Sequence, residues 1–316
     1  MKQKILVTGA SGFLGKELVN RLLQIDGVEV MAICHLGQNC HVFPDYSRLV
    51  TKAANLENSK SLQPLFQEWK PDIVFHLGAL ARLHAGQDNP EDAVVVNLLG
   101  SINLLQLAAR YGVKKFLFTS SDLARKARSV VGITKLLMEY YLQLFAGKKP
   151  EVVIFRMPNL YDFPGSVMDI FARQIAENKD LSITDERMAR RFLTRREAAD
   201  YLLFLKENGE SRQVYSVKQE PLLIKDLAEK MITESGKNLK LNIIGARPGE
   251  MLYQASYSDS EAENMSYNNL ARLRLSSPTQ EEIGSLIQRL SVSEAIKVIL
   301  QNKFNTFLPL NDFSKK

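Results

Sequence analysis

Cysteine is scarce in this chain of 316 residues: Cys34 and Cys40 are the whole supply. Two thiols give no disulfide framework. They stand in CHLGQNCH beside His35 and His41, a spacing that matches no standard zinc site, so a polar loop after a strand is expected and no metal. Long apolar runs are missing as well. None reads as long enough to span a bilayer, so no membrane span is expected. The opening MKQK passes straight into an apolar strand and a glycine turn, without the pattern of a secretory signal, which makes cytoplasmic residence the default expectation. No basic tail or basic–aromatic stripe is present, so nucleic acid is not an expected partner. Internal repeats, low-complexity tracts and a linker rich in Gly, Pro or Ser are absent too. Neither sign of charge dominates: 41 Lys and Arg face 35 Asp and Glu, a net +6, mostly interleaved as on a solvated surface. The local exception is Arg187, Arg190, Arg191, Arg195 and Arg196, a cluster suited to the phosphates of a small ligand.

What is present is an ordinary core and a strong rhythm. Hydrophobic residues make up 45% of the chain, and the length suits two modest domains or one elaborated α/β domain. Short β-rich runs at Lys4–Thr8, Val28–Cys34, Ile73–Leu77, Phe116–Thr119 and Val152–Arg156 alternate with helical spacing at 58–70, 90–111 and 133–145. That alternation predicts an α/β fold: a Rossmann-type, doubly wound parallel sheet. After Arg156 the rhythm changes. Helices are expected at 167–178, 197–206 and 224–235, strands at 214–217 and 239–244, and one or two closing helices within 277–301. The expected division is a nucleotide-binding domain at 1–156, with a returning strand near 213–218, and a smaller interleaved substrate domain with closing helices in 157–316.

Gly9, Gly12 and Gly15 in TGASGFLG form G-x-x-G-x-x-G between a strand and a helix. The first glycine permits the tight turn, the second lets amides approach a pyrophosphate, and the third lets helix and strand pack closely. In this context the pattern predicts dinucleotide binding. The second strand should end in an acid if it grips the ribose 2′-hydroxyl of NAD, yet it ends Cys34-His35. His35 facing a 2′-phosphate would favour NADP over NAD; a solvated loop histidine is the equal alternative.

The stretch Ser120–Lys135, SSDLARKARSVVGITK, leaves a strand and opens a helix, where such sheets present catalytic groups. Asp122 is placed to exchange a proton, Ser121 to hydrogen-bond a sugar hydroxyl or carbonyl, and Lys135 to bind a cofactor ribose. A helix-capping role is the alternative for Asp122. Val131, one turn before Lys135, has no hydroxyl to move a proton.

With these residues in hand, the chain resembles the CapD-like family of extended short-chain dehydrogenases, which includes inverting UDP-N-acetylglucosamine 4,6-dehydratases. The resemblance runs from the glycine turn to about Glu263. It rests on PDIVFHLGA, DNPEDAVVVNLLGSINLLQLAARYGVKKFLFTSSD, GITK, GSVMDIFARQI, MARRFLTRREA and GARPGEMLYQ. It implies that Gly9, Ser11, Gly12, Phe13, Leu14 and Gly15 surround the cofactor diphosphate. Asn55 and Leu56 would lie by the adenine, and Leu77, Gly78 and Ala79 along the dinucleotide. Asn97 matches a structural asparagine. Lys135 matches the lysine on the nicotinamide ribose. Asn159 lies near the sugar nucleotide, Arg190 and Arg247 face its diphosphate, and Glu250 supports that turn. Ser121 and Asp122 match the Thr-Asp pair of the reaction centre. A UDP-sugar partner and a homo-oligomer are implied by the same resemblance.

The departures concentrate in the catalytic set. Leu123 stands where the family has the lysine that abstracts a proton, Val131 where it usually has tyrosine, Ala81 for another lysine, Asn55 for an aspartate and Met251 for a lysine. Arg125, Lys126 and Arg128 are candidates for a displaced cation, or simply solvated loop charges. The expected function is NAD(P)-dependent dehydratase-type modification of a UDP-N-acetylhexosamine. A keto-sugar reductase or epimerase, or a sugar-nucleotide-binding subunit without chemistry, are the alternatives.

Overall fold

The structure, a computed structural model, describes the chain apart from residues 1, 38–41, 45, 82, 146–148, 247–249, 254–256, 259–260, 266 and 307–316. Its centre is a sheet whose strands we number in chain order: β1 (Gln3–Thr8), β2 (Val28–Cys34), β3 (Leu49–Ala53), β4 (Ile73–His76), β5 (Lys115–Ser121), β6 (Glu151–Met157), β7 (Gln213–Val217), β8 (Ala262–Asn264) and β9 (Leu270–Leu273). The spatial order is β8-β9-β7-β6-β5-β4-β1-β2-β3. The strands from β3 to β7 pair in parallel, as the alternating rhythm predicts. The sheet is not purely parallel, however: β9 runs antiparallel to β7 and β8 antiparallel to β9. Neither this edge hairpin nor β3 carries a strong sequence signal. β3 reads LVTKA with no buried residue, because it lies on the sheet edge.

Helices cover both faces. We label α1 (Phe13–Leu23), α2 (Ser59–Trp69), α3 (Pro90–Arg110), α4 (Val130–Leu144), α5 (Val167–Ala176), α6 (Arg195–Asn208), α7 (Ile224–Ser235), α8 (Gln280–Gln288) and α9 (Glu294–Asn305). Helix α1 turns Leu14, Leu18, Val19, Leu22 and Leu23 inward, and with α6 it buries one face of the sheet. Helices α2, α3, α4, α8 and α9 bury the other, the closing helices through Ile283, Leu286, Leu300 and Phe304. Polar side chains start several of them: Ser129 accepts from the Gly132 amide to begin α4, and Thr194 with Glu197 forms a capping box on α6. A third, small cluster of Phe171, Leu181, Ile183, Met188, Ile224 and Leu227 joins α5 and α7 outside the main sheet.

One expectation is corrected here. By length and composition α3 is apolar enough to cross a membrane. In the fold it is a core helix, with 61% of its apolar window buried. Such runs escape a search for unbroken hydrophobic residues because Asn97, Ser101 and Asn103 interrupt this one. A π-turn at Val95–Gly100 interrupts its α-helical bonding, and places Asn97 toward the carboxyl edge of the sheet.

Candidate active site

Strand order reverses between β1 and β4: β1 has β2 on one side and β4 on the other. The crevice beyond the carboxyl ends of these strands is where a doubly wound sheet binds its ligand. The glycine turn sits there. Gly9 has φ +66°, and a Cβ added to it would lie 2.7 Å from the Gly78 amide nitrogen. A Cβ on Gly15 would lie 2.2 Å from the Gly9 carbonyl oxygen. These two positions admit only glycine: the first because two chain crossings touch, the second because α1 lies against the turn. Gly12 caps α1 without a side chain, leaving the first amides of the helix facing outward. Ser11 and Phe13 are half-buried beside it and Leu14 is buried. The cradle therefore fits a diphosphate.

The wall of the crevice is tied by a polar chain. Thr8 Oγ1 accepts from the Gly78 amide at 3.2 Å and meets His76 Nδ1 at 2.7 Å. His76 Nε2 meets Ser101 Oγ at 2.7 Å, and that hydroxyl donates to the Asn97 carbonyl at 2.6 Å. Since Ser101 spends its proton on Asn97, Nε2 carries the hydrogen and Nδ1 accepts from Thr8, the neutral tautomer. Burial, aided by the Lys135 charge, pulls the His76 pKa down to about 3. Asn97 then clamps Leu80 through both its backbone groups, at 2.7 and 3.0 Å. This holds Leu77, Gly78 and Ala79 along the crevice. The sequence marks Asn97 only through the resemblance. Thr8, His76 and Ser101 show no local signal.

At the adenine end the predicted residues separate. Asn55 Oδ1 accepts from the Leu36 amide at 3.3 Å, and Leu56 is buried against Gly78 and Gly100. His35 is exposed just beyond β2. Cys34 is buried in β2, while Cys40 and His41 lie outside the described residues. No group of three or more His, Cys, Asp or Glu that would hold a metal occurs among the described residues.

At the end of β5 the candidate catalytic groups converge. Lys135 is 6% exposed; its Nζ donates to the Thr119 carbonyl at 2.8 Å and lies 4.7 Å from the Phe118 ring centre. Burial lowers its pKa to about 8, against the opposing charge of Glu139. Asp122 is 2% exposed at the head of a single helical turn, Leu123–Lys126, and makes no side-chain cap bond to it. Its charge bears on both Arg156 and Arg190. Ser121 Oγ accepts from the Leu123 amide at 3.3 Å. Val131 is buried; a methyl on Gly86 would lie 2.5 Å from its Cγ2. Arg125 Nε stands 3.8 Å from Glu261, and Lys126 and Arg128 are exposed.

Behind this edge lies a pair the sequence reading missed. Arg156 Nη2 meets Glu139 Oε2 at 2.5 Å and Nε meets Oε1 at 3.1 Å, and Ser120 Oγ joins the same carboxylate. Burial opposes the Arg156 charge, and Glu139 more than offsets it, so its pKa rises. The available signal was the spacing of Glu139 one turn after Lys135.

On the far side, Asn159 donates its amide to the Arg191 carbonyl at 3.1 Å, and the short strands Asn159–Leu160 and Phe192–Leu193 pair in parallel. Arg190 is 8% exposed, with Nη1 on the carbonyls of Ala189 and Leu252 at 2.9 and 3.1 Å. Burial lowers its pKa, while Glu250 and Asp122 oppose that fall. Glu250 is half-buried. Arg247 and the Pro248-Gly249 turn lie outside the described residues.

A glycine cradle at the switch point, with a buried lysine on α4 and an aspartate at the end of β5, defines a Rossmann-type member of the extended short-chain dehydrogenases. The chain belongs to the polysaccharide biosynthesis protein family, whose model matches residues 5–274, and within it to the CapD-like group. It is 28% identical over 270 residues to the probable polysaccharide biosynthesis protein EpsC of Bacillus subtilis (strain 168), covering 81% of this chain and 45% of that protein. It is 27% identical over 302 residues to the capsular polysaccharide biosynthesis protein CapD of Staphylococcus aureus, covering 90% and 50%. The chain thus spans about half the length of these relatives. Among solved structures, Pen from Bacillus thuringiensis is 25% identical, with TM-score 0.80 and 89% of each chain covered. Bordetella bronchiseptica WbmG, solved in complex with NAD and UDP, shares the fold with TM-score 0.69 at 20% identity, over 79% of this chain and 84% of that one.

Proposed function

We propose that this protein modifies a UDP-N-acetylhexosamine by dehydratase-type chemistry with a tightly held NAD or NADP, in making a polysaccharide or glycan precursor. The observation that carries the reading is the burial of Asp122 and Lys135 together at the carboxyl edge beside a cradle that accepts only glycine at two positions. The family membership and the capsule-related relatives support it, as do the nucleotides named in the WbmG complex. A bound nicotinamide would supply hydride transfer to and from the sugar. Gly9, Ser11, Gly12, Phe13, Leu14 and Gly15 would hold its diphosphate, with Asn55 and Leu56 by the adenine and Leu77, Gly78 and Ala79 along its length. His35, exposed beside the second strand, is the group that would favour NADP. The chain's own work is positioning and proton movement. Lys135 orients the cofactor ribose, Ser121 hydrogen-bonds the oxygen at carbon 4, and Asp122 donates the proton to the leaving hydroxyl. Asn159, Arg190, Arg247 and Glu250 would hold the nucleotide, in a substrate part that follows residue 156.

The dehydratase reading meets a specific obstacle, which favours a second. Leu123 and Val131 supply neither a base nor a phenol, and a general base contributes ~10²- to 10⁴-fold. A keto-sugar reductase or epimerase, or a binding subunit, needs fewer of these groups. Incubation with UDP-N-acetylglucosamine and either cofactor, followed by mass spectrometry, separates them. Loss of water, abolished in Asp122→Asn with sugar-nucleotide binding intact, is the expected result. Binding without loss of water under either cofactor removes the dehydratase reading.

A further inference from the structure

Arg191 is a buried cation with no ion pair among the described residues. It is 7% exposed, and its Nε and Nη1 have no hydrogen-bond partner among the described residues. Its remaining nitrogen, Nη2, reaches the Tyr253 hydroxyl at a long 3.5 Å. The guanidinium rests 4.9 Å from the ring centre of Tyr257, whose own hydroxyl donates to the Val217 carbonyl at the end of β7 at 3.3 Å. That aromatic face holds the group in place but supplies no acceptor. Leaving an ionised side chain buried with open donors is costly, and natural folds keep such a group where something else completes it.

Its location says what completes it. Arg191 takes the Asn159 amide on its backbone carbonyl, and Asp122 reaches the same connection through the Met157 carbonyl at 3.2 Å. The Arg191 backbone is thus tied to the chain leaving β6, and its guanidinium rests on the Tyr257 ring, whose hydroxyl reaches the carboxyl end of β7, on the sheet edge that carries Asp122. Neighbouring Arg190 is served differently, by two backbone carbonyls and by the charges of Glu250 and Asp122. The open donors belong to Arg191. A small ligand entering this edge brings oxyanions, and a guanidinium matches phosphate and carboxylate oxygens alike.

We propose that Arg191 is an oxyanion subsite of the sugar-nucleotide cleft, its Nε–H and Nη1–H donating to a diphosphate oxygen or to a carboxylate on the sugar. The inference rests on the sugar-nucleotide reading above. It concerns a residue beyond those assigned to the nucleotide there.

The test is calorimetric titration of the full chain and its Arg191→Met and Arg191→Lys variants with UDP, UDP-N-acetylglucosamine, UDP-glucuronate and inorganic pyrophosphate. Melting temperatures without ligand are taken alongside. Arg191→Met removes an unpaired buried charge, so its unliganded melting temperature is expected at or above that of the parent; a purely structural arginine would lower it. Binding is expected to weaken by ~10- to 100-fold in Arg191→Met and less in Arg191→Lys. Equal weakening for all three UDP ligands makes the oxyanion the diphosphate. Weakening for UDP-glucuronate alone makes it a sugar carboxylate. Unchanged affinity for all four probes in a folded Arg191→Met overturns the subsite and leaves its donors to water. If the parent ignores the UDP ligands yet binds pyrophosphate through Arg191, the sugar-nucleotide reading falls and the oxyanion subsite stands. A parent that binds none of the four overturns both.

Discussion

The guanidinium of Arg156 lies 2.5 Å from the carboxylate of Glu139, and the two side chains are 3% and 0% exposed. One comes from β6 and the other from α4, so the pair locks the helix that carries Lys135 to the sheet that carries Asp122. Its placement behind the carboxyl edge makes it a support for the reaction position. Lys135 feels it too, since Glu139 opposes the fall of the Lys135 pKa.

Breaking that pair from one side leaves a buried charge. Glu139→Gln is expected to lower stability by ~3–5 kcal/mol, read as a fall in the urea midpoint. Replacing both partners together, Glu139→Leu with Arg156→Met, is expected to restore much of the loss. A single variant as stable as the parent would show that the pair does not brace α4.

The glycine turn makes a steric prediction. In Gly15→Ala the new methyl would lie 2.2 Å from the Gly9 carbonyl oxygen and 2.8 Å from Ala10 backbone atoms. Backbone does not yield as a side chain does, so a loss of ~1–3 kcal/mol is expected. NAD(P) binding, followed by fluorescence titration, should fall with it.

His76 sets a dependence on acid. Its pKa is about 3 in the fold against 6.5 when unfolded, so the folded state binds fewer protons between those values. The stability contributed by keeping His76 neutral is present above pH 6.5 and is lost as pH falls toward about 3. The slope for one proton is at most ~1.4 kcal/mol per pH unit. Urea midpoints across this range should fall for the parent. A His76→Gln variant, which cannot titrate there, should show a shallower fall.

The altered catalytic set can be restored. Val131 is packed against Gly86, so Val131→Tyr alone is expected to overfill the site and cost ~1–3 kcal/mol. Combined with Leu123→Lys it returns the proton-moving groups that the resemblance expects. Water loss from UDP-N-acetylglucosamine should then rise by ~10²-fold or more. A folded, ligand-binding double variant with no gain would show that the lost chemistry does not reside in these two positions.

Sequence alone determined the parallel sheet, the order of its helices and the glycine turn. These follow from short-range rules: period-2 or period-3.6 burial and backbone room at Gly9 and Gly15. The same rules place Asp122, at the strand end, and Lys135, a turn into the helix. Tertiary structure decided what those rules do not reach. The antiparallel edge of β8 and β9 and the exposed strand β3 depend on which neighbour a strand finds, not on its own pattern. The neutral state of His76 comes from burial and its tautomer from Thr8 and Ser101, which lie 68 and 25 residues away along the chain. The pairing of Glu139 with Arg156, and the lack of any such partner for Arg191 among the described residues, are differences of environment between groups that look alike in a string of letters. Charge, burial and open donors are properties of a place, and only folding assigns a residue its place.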